Sequence, residues 1–351
     1  MAYTTIDKSS DYFETVLYTG NGGTNSISSL DFQPDWLWIK CRSDANGSNI
    51  FDVLRGTNSL HSDTNGPDAD RASDGFTSLD NDGFTLSGDG SGGSINVNSR
   101  TYAAWSWKAG TSFSNDASST SVGSIDSTGS VSTDAGFSII NVVKNNTTAH
   151  TVAHGLGAVP QMIIGKSRTG NAYRWIVYHQ AIGNTDAQYL NENFANTDSA
   201  TFWNDTSPTS SVFTIGSDNS WNGTNIFYCF AEKQGYSKFG SYTGNGNADG
   251  TFIYTGFKPA FVMIKKTTGT DGWWQIEDNK RSPENVAIKA IFANVSDAEY
   301  SGANYATDYL SNGFKIRNST AGSNTSGQLY IYMAFAENPF TSSAGTPVTA
   351  R

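Results

Sequence analysis

The chain has 351 residues, a formal net charge of −10 and only 15% charged residues. An acidic chain without a block of Lys and Arg cannot neutralise a run of phosphates, which argues against a nucleic-acid partner. Aromatic residues at 13% argue against disorder, and no apolar stretch approaches the roughly 20 residues of a membrane span, so no membrane insertion is expected.

This length is too great for one ordinary core and predicts two or three domains. Abundant Gly, Ser, Thr and Asn suit short strands joined by polar turns, so the expected class is all-β. The stretch Met1-Ala2-Tyr3-Thr4-Thr5-Ile6-Asp7 lacks the charged and apolar regions of a signal peptide. The expectation is a protein made in a cytoplasm that stays soluble or leaves by assembly or lysis. Cys41 and Cys229 fall in different copies of a repeat and read as unpaired strand residues.

Residues 1–15 read as a polar lead in which Tyr12 and Phe13 pack on the first module or on a neighbouring subunit. Val16-Leu17-Tyr18-Thr19 then runs into Gly20-Asn21-Gly22, a hairpin-turn signal because Asn and Gly tolerate positive φ. The next segment, Phe32-Gln33-Pro34-Asp35-Trp36-Leu37-Trp38-Ile39-Lys40, is an apolar run opened by Pro and closed by Lys. It recurs as Val159-Pro160-Gln161-Met162-Ile163-Ile164-Gly165-Lys166 and as Lys258-Pro259-Ala260-Phe261-Val262-Met263-Ile264-Lys265-Lys266. Pro is tolerated at a strand's first residue and the run is rich in Ile, Val, Trp and Phe, so each copy reads as a buried strand.

Three further landmarks follow each copy in the same order. An aromatic segment comes first, at 49–56, 173–179 and 273–278. A phenylalanine strand comes next, around Phe84, Phe213 and Phe314. A closing strand of period two ends the copy, with Ala103, Trp105 and Trp107, then Ile226, Tyr228 and Phe230, then Ile331, Met333 and Phe335 on one face. Landmarks that move together at a period of roughly 100 to 130 residues predict tandem small domains.

The expected fold is therefore all-β, with three tandem antiparallel β-sandwich or jelly-roll-like modules at 16–110, 136–235 and 236–340. Residues 111–135, rich in Ser and Thr, read as a linker or extended arm, and 341–351 as a C-terminal tail. The second and third modules meet without a spacer and are expected to dock, with the first placed separately. One short helix is expected over 282–292, from the Ser282 cap and Pro283.

Candidate chemistry is sparse. His150 and His154 are four apart, but Gly155 and Gly157 follow, so no helix presents them together. The acidic loops at Asp63–Asp70 and Asp80–Asp82 offer oxygen ligands without the spacing of a helix-loop-helix calcium site, and turns require the same residues. Glu232 and Glu337 stand at matching places after closing strands. The first copy has Lys108 there, so a repeated structural position is the better account than an acid pair. No catalytic residue, cofactor or metal site is assigned. Trp273 and Trp274 cannot share a face of one strand, and Trp203 and Trp221 lie among Asn, Asp, Ser and Thr. Trp203, Trp221 and Trp273 are the candidate surface contacts.

Tyr-Thr-Gly-Asn-Gly at 18–22 and 242–246, the Pro-led strand and the ending Tyr332-Met333-Ala334-Phe335-Ala336-Glu337-Asn338-Pro339-Phe340 resemble a repeat family of tailed phages of marine bacteria. The resemblance runs from about Tyr12 to Phe340 and carries no known catalytic residue. The first module departs from it, with Ala103-Ala104-Trp105-Ser106-Trp107-Lys108 in place of the Phe-Ala-Glu ending. That leaves a different partner open for this module.

The resemblance implies a virion structural protein, made in the host cytoplasm. Its expected role is that of a tail-fibre or receptor-binding component that mediates host attachment and is not an enzyme. Implied partners are other virion proteins, a host surface glycan or protein, and copies of itself, with a trimer favoured. The alternatives are a capsid decoration protein or head fibre, and a glycan depolymerase.

Overall fold

The computed structural model describes residues 4–73, 75–88, 94–169, 172–269 and 272–339. The tail expected over 341–351 lies outside the described residues. The protein is all-β, built of several antiparallel sheets, with helix confined to short turns such as Ala117–Thr120 and Ala200–Trp203. No helix among the described residues is long and apolar enough to cross a membrane.

Three main sheets share one strand order. In the first, Phe13–Thr19 lies beside Thr101–Trp107, then Trp36–Cys41, then Asn49–Asp52. Phe137–Lys144, Gly223–Phe230, Met162–Ser167 and Ile176–His179 follow that order in the second. Ser237–Thr243, Leu329–Ala336, Pro259–Lys266 and Gln275–Asp278 follow it in the third. The Pro-led strand is thus interior to each sheet. Pro34 and Pro160 precede their strands and Pro259 is the first residue of its own, where a missing N–H interrupts little of the ladder.

The register repeats too. Trp36 faces Trp107 and Trp38 faces Trp105; Met162 faces Phe230 and Ile164 faces Tyr228; Phe261 faces Phe335 and Met263 faces Met333. Alternation splits each sheet into two apolar faces. One face packs on a smaller sheet of the same repeat. Leu37, Ile39 and Phe51 meet Ile27, Phe84 and Leu86, Ile163 and Phe227 meet Val152 and Phe213, and Val262 and Ile264 meet Ile253 and Phe314. The other faces of all three sheets meet in one central core.

This core corrects the expectation that the first module is placed separately. Trp36 stacks on Tyr228 at 4.6 Å between ring centres, Phe13 on Phe335 at 5.0 Å, and Phe230 lies 5.8 Å from Phe239. The physical reason is the face formed by Trp36, Trp38, Trp105 and Trp107. Each such ring buries about 150–250 Å², about 4–6 kcal/mol at about 25 cal/mol per Å². Trp36, Trp38 and Trp107 leave their indole N–H groups unpartnered, at about 1–3 kcal/mol each, so burial still wins.

Three local expectations also change. Residues 111–135 are not a spacer: Thr111–Asn115 and Ser127–Ser132 extend the second main sheet beyond Phe137–Lys144. The small residues that suggest a linker permit this close pairing. A side chain at Gly129 would stand 2.1 Å from the Ile139 carbonyl oxygen. The helix expected over 282–292 is absent: Lys289–Phe292 is a strand beside Gln275–Asp278, and Ser282 Oγ accepts from the N–H groups of Ile288 and Lys289. Finally, the first strand begins at Phe13, inside the lead.

The recurring Tyr-Thr-Gly-Asn-Gly string is a structural clasp. Asn21 N donates to Asn96 Oδ1 at 3.1 Å, and Asn245 N donates to Asn324 Oδ1 at 2.9 Å. Both central amides are fully buried and hold a loop on their other side, at Gly23 O and Asn247 O. A Cβ at Gly20 would lie 2.3 Å from Val97 O, and one at Gly244 2.4 Å from Thr325 O, so only Gly fits.

Candidate functional site

The repeats interlock in cyclic order through the lysines that close their Pro-led strands. Lys40 Nζ donates to Val295 O at 2.8 Å, Lys166 Nζ to Asn65 O at 3.3 Å, and Lys265 Nζ to Phe194 O at 2.7 Å. All three are buried, and loss of water lowers Lys40 and Lys166 to about 8 and Lys265 to about 7. A neutral amine still donates to a carbonyl, so the contact survives the shift.

A second ring of contacts crosses the same boundaries. Asp52 pairs with Arg55 at 2.7 Å and accepts from Tyr228 Oη at 2.7 Å. Asp278 pairs with Arg281 and accepts from Trp105 Nε1 at 3.0 Å. At the third boundary the closing strand offers Met333, which has no donor, and the facing strand Ile176–His179 ends in His179 instead of Asp. Its Nε2 lies 3.2 Å from Tyr332 O. Burial pushes His179 down to about 4, which fixes it as neutral near pH 7. These ionisable groups are all engaged in holding repeats together, and none lines an open cleft.

The acidic residues weighed in the sequence are likewise occupied. Glu232 pairs with Lys238 at 2.6 Å and Glu337 with Lys258 at 2.7 Å, so the matching acids do not face one another as a catalytic pair. Asp63 accepts from Ser48 N at 3.0 Å, Asp68 pairs with Arg168 at 2.9 Å, and Asp70 accepts from Thr57 Oγ1 at 2.6 Å. Among the described residues no group of three or more His, Cys, Asp and Glu side chains converges on a metal position. His150, half-buried, opens the strand His150–Ala153 beside Ser124 and Asn146, whereas His154 is buried against Thr209 O. Cys41 and Cys229 are unpaired and sit in different cores.

Of the three candidate tryptophans, two are corrected. Trp203 and Trp221 are buried, with ring centres 5.7 Å apart, and Trp221 Nε1 donates to Phe202 O at 3.0 Å. Their polar sequence neighbours form the turns, while the rings point inward from them. Trp273 is different. Eight of the nine tryptophans are fully buried, and Trp273 is the remaining one, half-exposed beside the buried Trp274.

Trp273 forms one wall of a cleft of about 310 Å³ in the third repeat. Phe292 stands 4.8 Å from it at 73°, and Tyr305 lies 5.8 Å from Phe292. Gln275 and Gly322 also line the cleft, with Asn304 at its edge. Gln275 is 1% exposed; its Nε2 donates to Glu277 Oε1, and its Oε1 has no partner. Burial raises Glu277 to about 7. The doublet Trp273-Trp274 signals this wall in the sequence, because neighbours in a strand face opposite ways. Phe292, Tyr305 and Gly322 carry no local signal, since only the pairing of distant strands and loops brings them together.

The second repeat has a cleft in the same place, of about 390 Å³, with Arg174 where the third has Trp273 and Ile176 where it has Gln275. Arg174 lies over the Tyr189 ring at 5.0 Å and pairs with Glu192 at 3.1 Å. That cleft has a cation already engaged and, among the described residues, no buried unpaired amide in its lining. No curated protein and no solved structure matches this chain. A family profile described as a domain of unknown function (DUF7483) matches residues 8–339, and the chain belongs to that family.

Proposed function

We propose that this protein is a structural and adhesive component of a phage particle, displayed on the surface as part of a tail fibre or receptor-binding device. In this reading it comprises three small sandwich-like modules and acts as a binding protein rather than an enzyme. The observation that carries the adhesive role is the open aromatic cleft at Trp273. It is a concave, partly apolar site on a rigid β scaffold, the usual setting for recognition. The phage setting is supported by the sequence strings that recur in the resembling family. The same proposal makes the chain a homotrimer. Because the central core closes within one chain, the contacts between copies fall on outer faces.

The test is cryo-electron microscopy of the particle that carries the chain. Density at the tail in a few symmetric copies is the expected result. Density spread over the capsid lattice, or on no part of the particle, would overturn the attachment role. Light scattering of the purified chain checks the trimer.

A further inference from the structure

We propose that the cleft of the third repeat binds one uncharged pyranose ring, which stacks its apolar face on Trp273 and donates a hydroxyl hydrogen to Gln275 Oε1. The inference names the ligand of the cleft on which the attachment reading rests.

Three observations lead to it. The first is the half-exposed indole in a protein that buries its other eight. An indole held against Phe292 at 4.8 Å presents a fixed aromatic surface, and the C–H face of a sugar ring is a natural complement. The second is the amide of Gln275. Its Nε2 is committed to Glu277 Oε1, which orients the group, and its Oε1 is left without a donor. A buried acceptor without a partner is a costly state; Asn225 and Asn279 leave such oxygens too, but Gln275 lines the cleft, where a ligand hydroxyl relieves the cost. Oε1 only accepts, so the ligand must bring the hydrogen.

The third is charge. Among the described residues the cleft has no charged lining side chain, so a charged ligand would lose water there without gaining a counterion. A volume of about 310 Å³ is at the small end of ligand sites and suits a single ring. The second repeat supplies an internal contrast. There Arg174 stands in place of Trp273 and lies over Tyr189, and Ile176 in place of Gln275 has no acceptor.

Gly322 allows a selective test. A Cβ built there lies 3.5 Å from Gln275 Oε1, an ordinary contact, and no other heavy atom is nearby. Gly322→Ala therefore covers the acceptor without forcing the fold. The purified full chain is titrated with methyl glucoside, methyl galactoside and methyl mannoside, with glucuronate as the charged control. Tryptophan emission and calorimetry are the readouts. Because Trp273 is the one half-exposed indole, an emission change reports the cleft.

The expected result is saturable binding of at least one neutral glycoside, lost in Trp273→Ala and weakened at least tenfold in Gly322→Ala. Unchanged melting temperatures of both variants show that the fold is intact. Three results would each overturn the inference: no response at about 50 mM, where a millimolar site is saturated; binding by glucuronate alone; or full affinity in Gly322→Ala. Staining of host cells with the labelled chain separates the two claims. Sugar binding without cell attachment sinks the attachment reading and keeps the sugar site, and attachment without sugar binding does the reverse.

Discussion

The boundaries between repeats and the cleft of the third repeat treat polar groups in opposite ways. At the boundaries, the charged side chains of one repeat are answered by groups of the next, Asp52 by Tyr228, Asp278 by Trp105 and Lys265 by the Phe194 carbonyl, and the unpartnered indole N–H groups of Trp36, Trp38 and Trp107 are sealed in the shared core. In the cleft, a buried amide oxygen is unanswered and an indole is left half open. Buried polar groups cost stability unless they are paired, so the first arrangement belongs to a fold that must stay closed. The second belongs to a place where a partner is still to arrive. Substitutions at the boundaries should therefore change stability strongly, and substitutions in the cleft should barely move it.

The largest effect is expected from Asp278→Ala. It strips Arg281 of its closest carboxylate and Trp105 Nε1 of its acceptor, in a site with no access to water. Removing one partner of a buried ion pair costs about 3–5 kcal/mol. Urea unfolding at neutral pH should show that loss, and a change below about 1 kcal/mol would mean that Glu299, 3.3 Å from Arg281, already carries the pairing.

His179 gives the next effect, visible through pH. Its folded value of about 4 lies below its ordinary 6.5, so between those values the unfolded chain binds more protons than the folded one. Stability from this residue is complete above the ordinary value and is lost as pH falls toward 4, by about 3 kcal/mol. Glu277, raised to about 7, works in the opposite sense over an overlapping range. The measurement is therefore the difference between the parent and His179→Phe. The parent should lose about 3 kcal/mol more than the variant between pH 7 and pH 4.

Lys265 gives a smaller change in the alkaline range. Its folded value of about 7 lies below the ordinary 10.5, so the unfolded chain again binds the extra proton, and stability rises with pH above 7. Lys265→Met removes that rise. From pH 7 to pH 9 the parent should gain about 2 kcal/mol over the variant. Equal slopes would show that the amine stays charged against Phe194 O.

Much of this contrast was legible in the sequence, for physical reasons. Period-two alternation marks a strand whatever lies on either side, so the closing strands and their shared aromatic face were evident. The same alternation does not say what covers that face. Trp105 and Trp107 read equally well as the inside of a separate module or as one wall of a shared core. The Tyr-Thr-Gly-Asn-Gly string was visible as a repeat but not as a clasp: Asn-Gly signals a hairpin turn, whereas Phe13–Thr19 and Asn25–Ile27 on its two sides lie in different sheets. Residues 111–135 misled because Ser, Thr and Gly serve both linkers and tightly paired edge strands. Trp203 and Trp221 misled because polar neighbours describe the turn that holds a ring and not the direction in which the ring points. In the cleft, only the Trp273-Trp274 doublet had a local signature. Gln275 is one more polar residue in a strand until its neighbours in space are known.

The smallest stability effect sharpens the comparison most. Gly322 has an ordinary backbone conformation, and a Cβ there meets only Gln275 Oε1, at 3.5 Å. Replacing Gly with Ala at such a position restricts the unfolded chain and is worth about 0.4–1 kcal/mol of added stability. Placing a methyl group beside an unpaired carbonyl oxygen gains little, since the oxygen still lacks a donor. Gly322→Ala should therefore melt at or slightly above the parent, whereas Asp278→Ala melts well below it. The same methyl group closes the acceptor to a ligand. A variant that is at least as stable as its parent and binds less would show that the open amide serves recognition and not the fold. A marked loss of stability would mean that the loop carrying Gly322 is packed as tightly as the boundaries, and that the cleft belongs with them.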